Sequence, residues 1–313
     1  MIRRLFCAAL LVSCAARGLA AEPVWIDTDV SIGSPVREVD DAFALVLAFH
    51  SRELRVAGIS TSYGNAPLPC VDRVAREMTN RFGPGANLSA HNVFSGSRSA
   101  MDLGRATAAS KALASALRKQ RLTYIAIGPL TNLGTALQLH PELARRLKRV
   151  VFLGGTLAHE RLTFGRNRVL AIHDANVVKD SAAAAIVLRS GVPIVLVPIS
   201  TAAKLMVDAN DLKGVAAGGP AGAYLSQRSR VWLWFWQNLA RAEGGPLFDA
   251  VPMMATVEPD LLVSQARYAS VQPHGILLVS RKRTAFSRPV RYCPNLSPRI
   301  KAVLLRRLRD GPP

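Results

Sequence analysis

Cysteine is scarce in this 313-residue chain: there are four, Cys7, Cys14, Cys70 and Cys293, and their spacing matches no zinc site. Two fall in the first twenty residues, so the rest could form at most one disulfide, and a disulfide-stapled scaffold is excluded. No apolar stretch beyond the N-terminus approaches the roughly 20 residues needed to cross a bilayer as a helix, so no membrane span is expected. Acidic residues are outnumbered, 21 Asp and Glu against 40 Lys and Arg, for a net charge of +19. The basic surplus is scattered (Arg118, Arg145, Arg146, Lys148, Arg149, Arg281, Lys282, Arg283, Arg306 and Arg307) and no nucleic-acid module is visible. A solvated basic surface is therefore expected, with no specific nucleic-acid partner. Internal repeats and low-complexity linkers are also missing.

The first residues, MIRRLFCAALLVSCAARGLA, combine Arg3 and Arg4, a short apolar run and small residues before Ala21. They read as an export signal over residues 1–20, cleaved after Ala20, too short to span a membrane; a buried N-terminal helix is the plainer alternative. Export would place a single mature domain, residues 21–313, in the periplasm or outside the cell. Leu11-Val12-Ser13-Cys14 also resembles a bacterial lipoprotein box, which would leave a lipid anchor on Cys14. Losing Arg3, Arg4 and Arg17 with the signal lowers the charge to +16. In an oxidising compartment Cys70 and Cys293 could pair.

Short β-branched runs (VWIDTDV, ELRVAGISTSYG, LTYIAIGPL, LKRVVFLGGT, VPIVLVPIS) alternate with helical stretches (DDAFALVLAFHS, CVDRVAREMTNRF, SKALASALRKQ, NLGTALQLHPELARRL, SAAAAIVLRSG). That alternation predicts an α/β fold: an open, mainly parallel central sheet, mixed at its edge, flanked by helices in a Rossmann-like way. Ligands of such sheets bind beyond the carboxyl ends of the strands, where the Asp, Gly and Asn clusters fall. Residues 216–245 read as helical and aromatic, residues 265–290 as edge strands, and a basic terminal helix ends near Arg309.

Asp27 and Asp29 are one residue apart, so on a strand they would share a face. Asp40 and Asp41 open an apolar helix, where main-chain N–H groups favour negative charge. Helix capping would account for the pair by itself. It leaves the two aspartates ending the preceding strand unexplained, whereas a hard divalent cation would offset the repulsion among all four.

The run IDTDV…VDDAFALVLAF resembles the opening motif of the nucleoside hydrolases, the inosine-uridine-preferring N-ribohydrolases. The similarity continues in order through GISTSYGNAPL, AIGPLTNLGTAL, RVVFLGGT, DANVVKDSAAA and GGPLFDAV, covering nearly the whole mature chain. The resemblance implies that the N-glycosidic bond of ribonucleosides is hydrolysed to base and ribose by a calcium-bound water activated by an aspartate. It implies Ca²⁺ held by Asp29, Asp41, the carbonyl of Thr131 and Asp249, with Asp29 as general base. Asp40, Asn65, Asp174 and Asn176 would hold ribose hydroxyls, Asp174 standing where relatives have glutamate. Relatives are commonly dimers or tetramers, so a homo-oligomer is implied by analogy.

This chain departs from the family's pattern in three places. More residues, Val30 to Val39, separate Asp29 from the Asp pair; this loop could fold over the site or bulge outward. Phe248 stands where relatives carry a histidine near the leaving base; phenylalanine can stack on a base but cannot transfer a proton. His173 and His159 are candidate substitutes. Ser200-Thr201-Ala202-Ala203 replaces the family's Asp-Val-Thr-His. Of the aromatic group Trp232, Trp234, Phe235 and Trp236, the pair Trp232 and Trp236 share a helix face and are the first candidates for contact with the base, together with Phe248. Two other readings stand beside the hydrolase: an exported ribose- or nucleoside-binding protein with a weakly active site, and a haloacid-dehalogenase-like phosphatase using Asp27-Thr28-Asp29. The phosphatase would need Mg²⁺ and a late acidic pair that the sequence does not show.

Overall fold

The computed structural model describes residues 20–34, 37–158, 160–165 and 170–311. The leader through Leu19, with Cys14, and His159 lie outside them. Ten strands form one sheet. From one edge the order is Val93–Ser95, Leu54–Thr61, Glu22–Thr28, Leu122–Ala126 and Leu147–Leu153. It continues through Ile194–Val197, Arg288–Leu296, Leu262–Val271, Leu277–Ser280 and Thr156–Leu157. The first seven strands are mutually parallel. Leu262–Val271 is antiparallel to both its neighbours, and the last two strands are parallel again. The expected open, mainly parallel sheet with a mixed side is therefore present.

Both faces of the sheet are covered, as its apolar strands require. Along the first strand Val24 and Ile26 enter one core cluster and Trp25 the other, following the two-residue period. The Asp40–Phe49 helix is buried along its whole length, packed against the Ala250–Val257 and Ile300–Asp310 helices, which is why its sequence is apolar on every side. Within residues 216–245, read as helical, lie the helices Pro220–Arg228 and Arg230–Asn238.

One expectation is corrected. Leu262–Val271 and Arg288–Leu296 are interior strands, not edge strands. Val290, Tyr292 and Cys293 are buried, and Arg288–Leu296 pairs directly with Ile194–Val197. Its arginines, Arg288 and Arg291, give it the look of an edge, and only long-range pairing reveals its position. Cys70 and Cys293 are free thiols. Among the described residues no helix is long and apolar enough to cross a membrane.

The strand Glu22–Thr28 has the second strand of the chain on one side and Leu122–Ala126 on the other. Strand order therefore reverses there, which opens a crevice beyond its carboxyl end. Asp29 is the next residue.

Candidate active site

Because the strand ends at Thr28, its two-residue period does not extend to Asp29, and the two aspartates part company. Asp27 is turned into the interior. It accepts from Ser60 Oγ (2.5 Å) and Asn132 Nδ2 (2.8 Å), tying the strand to the Thr131–Leu139 helix. Asp29 lines a cleft whose wall also includes Glu38, Asp40, Asn65, Asp174, Asn176, Trp236, Phe248 and Asp249.

The Asp pair does not cap its helix, for no side chain caps that N-terminus. Asp41 Oδ1 instead accepts from Thr28 Oγ1 (2.5 Å) and from the Asp29 amide (3.2 Å). Asp40 Oδ2 accepts from the Asp249 amide at 3.2 Å. Oxygens of Asp40, Asp41 and Asp249 lie within 4.8 Å of one another, all three residues being buried. Asp29 joins them electrostatically: Asn65 Nδ2 donates to Asp41 Oδ2 at 3.0 Å and to Asp29 Oδ1 at 3.3 Å.

Burial, reinforced by the neighbouring negative charges, dominates the acidity of this group. Asp40 is pushed up to about 7 by burial and then by Glu38, and Asp41 to about 7 by burial and then by Asp40. Asp29 and Asp249 are held well above the usual carboxylate range by burial first, then by the charges around them. Lys179 Nζ, 3.7 Å from Asp29 Oδ2, is a partial counter-charge. Asp40 Oδ1 and Asp249 Oδ1 are buried without a hydrogen-bond partner. Buried oxygens with nothing to accept from, gathered at such spacing, suit a hard cation that prefers oxygen ligands.

The other expected site residues divide. Asp174 lines the cleft while accepting from the Gly155 amide (2.8 Å) and the Val177 amide (3.3 Å), and burial raises it to about 6. Asn176 lines the cleft beside it. Thr131 is buried at the head of its helix, its hydroxyl donating to Asp180 at 2.6 Å. Phe248 and Trp236 form an aromatic wall, ring centroids 6.2 Å apart, with Phe164 edge-on to Trp236 at 5.0 Å. Trp232 is not part of that wall. Its indole N–H donates to Glu38 Oε2 at 2.6 Å, so it meets the cleft through Glu38. Trp234 is exposed.

Glu38, which lines the cleft, and Lys179, which faces Asp29, were not singled out from the sequence. Glu38 is two residues before the Asp pair, and Lys179 lies inside the DANVVKDSAAA motif, so both were adjacent to recognised segments. Burial raises the Glu38 carboxyl, opposed by the indole N–H groups of Trp232 and Trp236. The long loop before the pair turns inward at its end and does not simply bulge into solvent.

A buried acid cluster at the switch point of a mainly parallel sheet marks an α/β enzyme acting on a small ligand. A family model described as inosine-uridine preferring nucleoside hydrolase matches residues 24–293. The chain belongs to that family. It is 27% identical over 263 residues to the pyrimidine-specific ribonucleoside hydrolase RihA of Citrobacter koseri, covering 75% of this chain and 81% of the relative. The plant nucleoside hydrolase PpNRh1 has the same fold, with TM-score 0.77 and 24% identity over 92% of this chain and 99% of that one. So does a purine-preferring ribonucleoside hydrolase from Gardnerella vaginalis, with TM-score 0.76 and 20% identity over 92% of this chain and 98% of that one.

Gly64 leaves room for the central carboxylate: a Cβ there would stand 1.7 Å from Asp29 Oδ2. Gly64→Ala must displace Asp29, and a shift of that size costs on the order of 100-fold in turnover. Steady-state kcat on uridine and inosine checks this, with a melting curve to show that the variant is folded; kcat within threefold of wild type would refute the close approach.

Proposed function

We propose that this protein hydrolyses the N-glycosidic bond of ribonucleosides, releasing free base and ribose, with Asp29 activating the attacking water. The observation that carries the reading is the cluster of Asp40, Asp41 and Asp249 beside a cleft that Asp29, Asp40 and Asp249 line, with Asp40 Oδ1 and Asp249 Oδ1 buried and partnerless. Asp29, Asp41, Asp249 and the Thr131 carbonyl would hold a calcium ion. When bound, that ion offsets their repulsion, grips the ribose diol and acidifies water. Asp40, Asn65, Asp174 and Asn176 would orient the ribose through its hydroxyls. Asp29 takes a proton from water as its oxygen attacks the anomeric carbon. The sugar becomes cationic as the bond to the base breaks, and the surrounding carboxylates stabilise that charge. Trp236 and Phe248 offer flat apolar surface to the base.

The test is a panel of uridine, cytidine, inosine and guanosine, since the relatives named above differ in base preference. Release of base and ribose is expected, lost with EDTA and restored by calcium. Binding without release would favour a nucleoside-binding protein instead. Metal removal has a second expected consequence. Folded Asp40 and Asp41 hold protons up to about 7, against 3.8 for the ordinary side chain. The metal-free fold therefore binds more protons than the unfolded chain across that interval. This stabilisation is complete below the unfolded pKa and is lost as pH rises through the folded one. EDTA-treated protein should melt several degrees lower at pH 8 than at pH 5, and calcium should restore it most at pH 8. Equal melting temperatures would refute the coupling.

We also infer export from residues 1–20. Support would be a mature N-terminus at Ala21; a lipidated N-terminal Cys14 would indicate the anchored form, and an intact Met1 would refute both.

A further inference from the structure

The loop between Asp29 and the Asp pair brings a carboxyl into the cleft. Ser31 Oγ donates to the Glu38 carbonyl at 3.1 Å, and the Arg37 guanidinium donates to the Asn65 carbonyl at 2.6 Å. These bonds fix the end of the loop beside the acid cluster. Glu38 lines the cleft on the side of Trp236 and Phe248, its Oε2 held by the Trp232 indole at 2.6 Å. Trp232 is itself locked: a Cβ on Gly245 would stand 2.1 Å from its ring. Gly245 lies just ahead of Phe248 and Asp249, so one short segment positions the aromatic wall, an acid of the cluster and the donor to Glu38.

A nucleoside base is a poor leaving group unless it gains a proton as it departs, and neither aromatic ring of the wall can supply one. Of the cleft's proton-bearing groups, Asp29, Asp40 and Asp249 belong to the acid cluster, and Asp174 has both oxygens engaged by main-chain amides. Glu38 and His173 remain. His173 is exposed at the rim, shared with a neighbouring groove, and follows the strand leading to Asp174 on the ribose side. Glu38 stands at the aromatic wall in a fixed orientation.

We propose that Glu38 is the catalytic acid that protonates the departing base. As the bond from the anomeric carbon to the base nitrogen breaks, its electron pair passes to the base. The Glu38 carboxyl O–H gives its proton to a basic atom of that base. The water oxygen bonds to the anomeric carbon and its proton goes to Asp29. Glu38 ends as a carboxylate and Asp29 protonated; exchange with solvent resets both. Trp232 is a positioning residue, acting through Glu38.

This assignment rests on the hydrolase reading, and leaving-group dependence separates the two. p-Nitrophenolate departs without protonation, so a p-nitrophenyl riboside bypasses the acid. The full chain and its Glu38→Gln, Trp232→Phe and His173→Gln variants are assayed on uridine, inosine and p-nitrophenyl riboside. Glu38→Gln is expected to lose about 100-fold or more in kcat on the nucleosides, within the span of general-acid contributions, but less than about 10-fold on the nitrophenyl riboside. Trp232→Phe should show the same bias at smaller size. If Glu38→Gln does not fold, Trp232→Phe carries the comparison. Equal losses on all substrates, no loss, or the bias appearing in His173→Gln instead would overturn the assignment. A wild-type protein that cleaves none of the three overturns the hydrolase reading, and this assignment with it.

Discussion

Asp41→Ala and Asp249→Ala are each expected to lower nucleoside hydrolysis by about 1,000-fold or more. A metal that fixes the sugar and activates water contributes several kcal/mol to the transition state, and each 1.4 kcal/mol is about tenfold in rate. Both carboxylates offer an oxygen to the same small space. The two variants should differ in stability. Asp41 accepts from Thr28 and the Asp29 amide, so its loss leaves buried donors unpaired, at about 1–3 kcal/mol. Asp249 Oδ1 has no partner and its carboxyl is crowded by Asp40, Asp41 and Asp29, so in EDTA Asp249→Ala should lose less stability than Asp41→Ala. Kinetics on uridine and inosine, with melting curves in EDTA and in calcium, check both statements. If both variants retained full activity, the metal assignment would be wrong.

Asp29→Asn is expected to reduce kcat by about 1,000-fold while nucleoside binding is retained in part. The amide matches the carboxylate in shape and its oxygen can still accept from the Asn65 main-chain N–H, a 2.8 Å bond in the wild type. It cannot take a proton from water, and it removes the negative charge opposite Lys179. General-base catalysis accounts for about 10²–10⁴-fold, and a weakened metal site adds to the loss. Titration calorimetry with a nucleoside, beside the kinetics, separates binding from turnover. A kcat within tenfold of wild type would remove Asp29 from the role of base.

The segments singled out from the sequence are each contiguous, and residues of each line one cleft. Asp40, Asn65, Asp174, Asn176, Phe248 and Asp249 come from separate segments and line the same cleft, at the ends of elements the periodicity locates. What the sequence pattern does not supply is neighbourhood. Asp27 and Asp29 are one residue apart, yet Asp27 is tied to Ser60 and Asn132 while Asp29 meets Asn65 and Lys179. The Asp pair has the position of a cap, yet its oxygens accept from Thr28 and from the Asp29 and Asp249 amides. Trp232 and Trp236 share a helix face and both indoles act on Glu38, but only Trp236 joins Phe248 in lining the cleft.

By itself the order of residues determined the alternation of strands and helices, the apolar faces and the ordered motifs, because each depends on neighbours a few positions apart. The place of Arg288–Leu296 inside the sheet, the inward turn of Glu38 and the counter-charge from Lys179 were decided only by tertiary structure. These features depend on groups far apart in the chain, and packing and burial act on whatever the fold brings together, whatever its distance in sequence.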